Sequence, residues 1–326
     1  MTPESALQLW LYQRLDAAGT AWLRDAVAGL TGGGAERDIE RDIERNTDHN
    51  TDRNTERDTE RDTERNADRN TERNTERNLY RCVSLVSRKL GKAPLALDAA
   101  ALAVAAQSRP GWNPSAWTVD QAARVLLLLA ATADSDTFVR RLDQLCATAD
   151  VDELVAFYRG LPLYPDPPRH RLRAAEGVRS NMRVVFEAVA HDNPYPAEQL
   201  PEDAWNQMVL KTLFVGSRLA PIVGLDERAN PTLARMLSDY AHERWAARRP
   251  FNPELWRCVG PFASGPQLDD LARVLNEGTA PDRAAAVLAL RSASDPDARR
   301  LLDRHAALRD TVTARGLNWT SVLDFH

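Results

Sequence analysis

The residues of this sequence best suited to chemistry are two carboxylate–histidine pairs. Glu187 and His191 are four apart, and Asp239 and His242 are three apart. Each pair shares one face if its segment is helical. Carboxylate and imidazole at i,i+3 is the spacing of helical dimetal sites, which take Glu-x-x-His from each of two helices. Only Asp239-x-x-His242 has that count, since Glu187-x-x-x-His191 is one residue too long. His242-Glu243 is not followed by a second histidine at zinc-protease spacing, because residues 244–246 are Arg, Trp and Ala. No metal and no other cofactor is therefore expected. The competing role for both histidines is to cap a helix end or bond to a neighbouring helix.

A wider polar set surrounds these pairs. Glu176, Arg179, Asn181, Arg183, Asp192 and Asn193 flank the first. In the stretch Trp205-Asn206-x4-Lys211, the residues Trp205, Val209 and Leu213 form an apolar face, with Asn206 and Lys211 off it. The candidate ligand- or partner-binding residues are thus Glu176, Arg179, Asn181, Glu187, His191, Asn193, Asn206, Lys211, Asp239, His242 and Glu243. The expectation is that several converge on one concave face. Arg179 and Lys211 would meet an anionic or phenolic group, and Asn181, Asn206 and His242 would orient it. The plainer alternative is a salt-bridged helix end followed by an Asn193-Pro194 turn. Trp112, Trp117, Trp245 and Trp256 read as core or surface staples. No catalytic residue is assigned: the chain has no G-x-S-x-G, no G-x-G-x-x-G and no cysteine nucleophile signature. Gly32-Gly33-Gly34 lacks the lysine and Ser/Thr of a phosphate loop.

The elements that would position these residues are helices. The chain has 326 residues, 43% hydrophobic and 27% charged, enough to bury a core without disulfides or metals. Cys82, Cys146 and Cys258 are scattered, which suits a reducing, cytoplasmic setting. The start is not a signal peptide, and no apolar run approaches the length of a membrane span. Of the net charge of −5, residues 36–81 supply −4 through 15 acidic residues and 11 arginines. The remainder is nearly neutral, so nucleic acid is not an expected partner.

Residues 37–81 repeat a tetrapeptide R-[DN]-[TI]-[ED]. It has almost nothing apolar to bury, and half its positions are weak helix formers, so the stretch is expected to be disordered, with a fluctuating helix second. Around it the apolar period is helical. Ser5–Leu30, Leu79–Leu90, Leu95–Ala106, Val119–Ala131, Asp136–Thr148 and Val151–Tyr158 come before an extended, proline-rich crossover at Leu161–Arg169. Ala174–His191, Glu202–Val215, Pro231–Arg248 and Pro253–Phe262 follow. Gln267–Leu275, Asp282–Leu290 and Ala298–Leu308 are short amphipathic helices, two of them opened by Pro-Asp. The fold class is all-α: a multi-helix, α-solenoid-like (HEAT-like) bundle with a disordered low-complexity insert. Its parts are N-terminal helices over 1–30, the insert over 31–78, a helical domain over 79–262 and HEAT-like helices over 263–326.

The chain resembles the EboA family. The resemblance rests on E-G-V-R-S-N-M-R-V-V-F-E-A-V-A-H-D-N-P-Y-P-A-E from Glu176, A-W-N-Q-M-V-L-K-T-L-F from Ala204 and G-L-D-E-R-A-N-P-T-L-A-R-M-L-S-D-Y-A-H-E-R-W from Gly224. P-E-L-W-R-C-V-G-P-F from Pro253, R-P-G-W-N-P-S-A-W-T-V-D-Q-A-A-R from Arg109 and S-R-K-L-G-K from Ser87 add to it. It extends over nearly all of 1–30 and 79–326, and the insert departs from the family pattern. It implies a cytoplasmic accessory protein, encoded beside other Ebo proteins, that helps move a specialised-metabolite precursor out of the cytoplasm. The implied partners are other Ebo cluster proteins and a small apolar metabolite, with room for a peripheral membrane contact. The favoured function is a non-enzymatic binding or scaffold module. The alternative is an enzyme, possibly metal-dependent, that modifies an apolar precursor where the two carboxylate–histidine pairs converge across a helical cleft.

Overall fold

The computed structural model describes residues 1–31, 53–131 and 134–325, except for the side chains of 53–69. Among the described residues there are helices and turns but no strand; the one bridge joins Pro94 to Thr118. The chain divides into two compact units, 1–177 and 178–326. The boundary falls inside the stretch 79–262 that the sequence suggests is a single domain.

The first unit holds α1 (Pro3–Arg14), α2 (Ala17–Leu30), α3 (Arg53–Leu90), α4 (Ala99–Ser108), α5 (Val119–Ala130), α6 (Ser135–Thr148), α7 (Val151–Arg159) and most of α8 (Arg171–Arg179). Its hub is α5, which packs against α1, α2, α3 and α7. The sequence V-L-L-L-L-A makes this helix apolar all round, so it must be enclosed. Ten of its twelve residues are buried. Its start is fixed locally: the Thr118 N–H donates to Gln121 Oε1 at 3.3 Å, and the Thr118 hydroxyl to Asp120 Oδ1 at 2.5 Å. Two of the buried residues are charged. Arg124 Nη1 bonds to Asp120 Oδ2 at 2.6 Å one turn away, and Ser87 bridges them. Trp10, Trp112 and Trp117 stack in sequence at 5.8 and 5.7 Å between centroids, tying α1 to the loop that leads into α5.

Of the stretch 31–78, expected to be disordered, the described part from Arg53 is helical. From Arg53 onward the tetrapeptide stretch is part of α3; residues 32–52 lie outside the described residues. The repeat places an acid three residues after each arginine from Arg53 to Arg73, a pairing that supports a helix despite weak propensities. The C-terminal end is anchored. Leu79, Val83 and Val86 are buried. On α6, Arg140 pairs with Glu72 and Glu76, and Gln144 accepts from the Tyr80 hydroxyl at 2.6 Å. The proline-rich stretch after α7 is also less extended than expected, with 3-10 turns at Leu161–Leu163 and Pro167–His170. Proline at the first position of a turn suits that geometry.

The second unit holds α9 (Arg183–Ala190), α10 (Tyr195–Gln199), α11 (Glu202–Phe214), α12 (Pro231–Ala246), α13 (Trp256–Val259), α14 (Pro266–Glu277), α15 (Ala280–Ser292), α16 (Pro296–Arg304) and α17 (Ala306–Ala314). Its hub is α15, whose face of small side chains lets α13, α14, α16 and α17 approach. Gly260 shows how close: a Cβ there would lie 2.5 Å from Ala289 O. Thr279 and Asp295 cap α15 and α16 where Pro-Asp marks a start. The helix expected over Ala174–His191 is two helices, broken at 180–182, where the Met182 N–H turns to Ser180 Oγ. Ala298–Leu308 is likewise split, at His305.

Candidate functional site

Of the candidate residues, Lys211 and Asn193 are engaged with the backbone and Asn206 with a capping amide. Lys211 Nζ donates to the carbonyls of Val178 at 2.5 Å and Ser180 at 2.9 Å, and lies over the Phe186 ring. Burial holds its pKa below the ordinary lysine value. Asn206, 2% exposed, exchanges two hydrogen bonds with Asn230, the residue that caps α12. Asn193 donates to Ala188 O and accepts from the Tyr195 N–H, closing the turn between α9 and α10. These three side chains satisfy backbone or amide groups that would otherwise be orphaned at helix ends.

Glu187 accepts from Arg183 Nε at 2.7 Å and Ser217 Oγ at 2.6 Å. Burial works against its ionisation, but those two hydrogen bonds outweigh it and hold its pKa below the usual carboxylate range. His191, one turn on, is pushed down by burial, and the Glu187 charge offsets only part of that. Its Nε2 is buried without a hydrogen bond. In the other unit, Glu176 pairs with Arg173 at 2.6 Å. Arg179, Asn181, Asp239 and Glu243 are exposed. His242 Nε2 meets Asp270 Oδ1 on α14 at 2.7 Å. Among the described residues, no three His, Cys, Asp or Glu side chains stand together in a group that would hold a metal.

Of the candidates, His242 leads to a concave site. Its ring lies 5.7 Å from Trp245 on the last turn of α12. Beside Trp245 is a cleft of about 260 Å³, also lined by Arg249, Phe251, Arg273, Val274 and Glu277. Phe251 stands edge-on to Trp245 at 5.6 Å, with Trp256 6.0 Å behind it. Arg273 lies 4.5 Å over the Trp245 ring and reaches Glu277 at 3.0 Å. Offset and edge-on rings at these separations are favourable contacts.

The loop that carries Arg249 and Phe251 is fixed by its backbone. The Arg248 N–H bonds to Trp245 O and the Arg249 N–H to Arg244 O, the paired bonds of a Schellman helix end. Arg244 then forks onto Pro250 O through Nε at 3.0 Å and Nη2 at 2.6 Å. The resulting site can hold a flat apolar body against aromatic walls, with guanidinium groups at its edge. Sequence reasoning treated Trp245 as a staple and did not single out Arg249, Phe251, Arg273 or Glu277. The available signal was R-R-P-F-N-P at 248–253: adjacent cations and an aromatic held between prolines at a helix end.

A second polar centre was also missed. Glu254 is fully buried. Its carboxylate accepts from Arg218 Nε at 2.6 Å, from the Leu219 N–H at 2.6 Å and more weakly from the Ala220 N–H. It fixes the 217–220 loop and is structural.

A family model described as metabolite traffic protein EboA matches residues 51–260. That range includes Trp245, Arg249 and Phe251 and ends before Arg273 and Glu277. It also leaves out α1 and α2, narrower than the resemblance drawn from the sequence. No curated protein and no solved structure matches the chain.

Proposed function

We propose, from the premise that the chain belongs to the EboA family of metabolite traffic proteins, that it is a non-enzymatic accessory module. It holds a specialised-metabolite precursor, or the Ebo cluster partner that carries it, on the way from cytoplasm to periplasm. The observation that supports this is the Trp245 cleft, an aromatic concavity with a cationic edge, set against Lys211, Asn206 and Asn193, whose polar groups are consumed by the fold. His242 borders the cleft through Trp245, and Asp239 and Glu243 lie exposed on the same helix. In this reading they and the exposed Arg179 and Asn181 contact a partner. The short helices α14 to α17 provide a HEAT-like, solenoid-type ending. No described helix is long and apolar enough to cross a membrane, so contact with a bilayer would be peripheral.

The rival reading is an enzyme in which Glu187/His191 and Asp239/His242 converge. Glu187 is instead held by Arg183 and Ser217, and His242 by Asp270. Removing the chain from its cell separates the two. An accessory role requires the precursor to build up inside the cell chemically unchanged while export falls. If an earlier compound of different mass accumulates instead, and purified chain converts it, the accessory reading is lost.

A further inference from the structure

We propose that the Trp245 cleft takes a flat aromatic body of one or two rings that carries a single carboxylate or similar anionic group, and that Arg249 reads the anion. This deepens the accessory role and depends on it only for the biological identity of the ligand.

The charges of the cleft assign the sign. Four charged side chains line it: Arg249, Arg273, Glu277 and Asp282. Arg273 and Glu277 neutralise one another at 3.0 Å. Asp282 Oδ2 accepts from the Thr279 N–H at 2.9 Å and from its hydroxyl at 2.5 Å, completing the capping box of α15. Arg249 is exposed and makes no ion pair among the described residues. Arg249 is thus the one charged side chain of the cleft with neither an ion pair nor a hydrogen bond among the described residues, and so the one free to turn to a ligand. A cationic ligand would want the face of Trp245, and that face is occupied by Arg273 at 4.5 Å. An anion finds a planar guanidinium able to bond through two donors at once.

The backbone shows that Arg249 is held ready. Three helix ends of this unit close with the same pair of hydrogen bonds. Two of them place glycine in the required left-handed conformation: Gly216 after α11 and Gly316 after α17, at φ 71° and 61°. The third, after α12, places Arg248 there at φ 53°. A side chain in that conformation is strained, and glycine would not be. The strain coincides with the one of these three helix ends that borders the cleft, where Arg244 also clamps Pro250. Arg244 is thus a positioning residue for Arg249 and Phe251. A turn fixed in advance loses little freedom when a ligand arrives.

The size of the cleft sets the rest. An apolar cavity of about 150 Å³ accommodates benzene. About 260 Å³ walled by Trp245, Phe251 and Val274 therefore suits one or two fused rings.

The test titrates the full chain by calorimetry with naphthoate and with naphthamide, which share a shape and differ in charge. Naphthoate should bind about ten-fold more tightly, the effect of one charge-assisted contact. Arg249→Gln should remove that preference and leave naphthamide unchanged; Arg249→Lys should keep part of it. Phe251→Ala should weaken both ligands with helicity retained. Equal affinity for the two probes in the parent, or a preference that survives Arg249→Gln, overturns the assignment. So does undiminished binding in Phe251→Ala, which would put the probe elsewhere. A cell that exports normally without the chain would sink the accessory role and leave these affinities standing. Loss of the charge preference would sink the ligand assignment and leave the accessory role standing.

Discussion

In the first unit, Asp120 and Arg124 match buried charge with buried charge; in the second, buried Glu254 and several half-buried cations are matched largely by backbone, as Arg141 of the first unit also is by Ala131 O. Asp120 and Arg124, each 2% exposed, bond to one another and to Ser87 within a packed set of helices. Glu254, Lys211, Arg228 and Arg244 of the second unit direct their hydrogen bonds largely at N–H and C=O groups. Arg228 alone serves three carbonyls, those of Pro196, Ala197 and Leu200. The reason is helix length. The helices of the first unit run from 9 to 38 residues. The second has several helices of four to nine residues, such as α10 and α13, and each end leaves orphan groups to be satisfied. A chain of short helices spends its polar side chains on itself. A cation such as Arg249, which is not spent, stands out for that reason.

The difference can be tested by rescue. Asp120→Ala should have a large effect, about 3 kcal/mol, because it leaves buried Arg124 with only the Ser87 hydroxyl and a Glu153 carboxylate 4.0 Å away. Adding Arg124→Met should recover more than half of that loss in chemical denaturation, since a buried pair can be exchanged for apolar groups. No recovery would mean the pair is not the unit of stability. Glu254→Ala should cost about 3 kcal/mol. Here Arg218→Met should not rescue it, because the Leu219 and Ala220 N–H groups remain. A rescue in this unit would break the contrast. Lys211→Met should cost about 1 kcal/mol and expose the 178–182 turn to faster amide exchange.

Acid should weaken both units. Burial lowers the pKa of His170 in the first and His191 in the second. The unfolded chain then binds the proton more readily than the folded one. The contribution of both residues is complete above the ordinary imidazole value of 6.5 and is lost as pH falls from there through their lower folded values. Melting followed against pH should show this fall, and the double variant His170→Phe, His191→Phe should flatten it. The smallest expected change is a gain. Arg248→Gly relieves the left-handed strain and should stabilise the chain by about 0.5–1 kcal/mol. A loss would show that the arginine side chain itself holds the turn.

The fold was legible where local signals agree. In α5 the apolar run, the Thr118 start and the buried outcome coincide. Arg124 was not legible in the same way. A charge next to an apolar run reads as the edge of the buried stretch; Asp120 lies one turn earlier on the same helix, but only the meeting of α3 and α5 reveals Ser87 as the bridge between them. In the tetrapeptide stretch composition argues for disorder, while over the described residues the spacing and the anchored end favour helix. Asn206 and Lys211 stood out because they leave the apolar stripe. Stripe reasoning asks which side chain a polar residue meets, and these two meet a helix cap and two carbonyls. The cleft was hidden because its walls come from segments about 25 residues apart, with no shared motif.

The long helix α3 has a consequence for how the sequence can change. Its 38 residues rise about 57 Å, and each tetrapeptide accounts for about 6 Å of rise and a net turn of about 40°. The described ties between α3 and α6 begin at Glu72. A repeat gained or lost ahead of residue 70 therefore shifts and rotates only the far end and leaves Glu72, Glu76 and Tyr80 in register. When the unit is R-N-T-E, as at 53–56, the formal net charge is unchanged as well. The helix is a ruler that replication slippage can reset in whole steps, with neither the isoelectric point nor the anchored end recording the change.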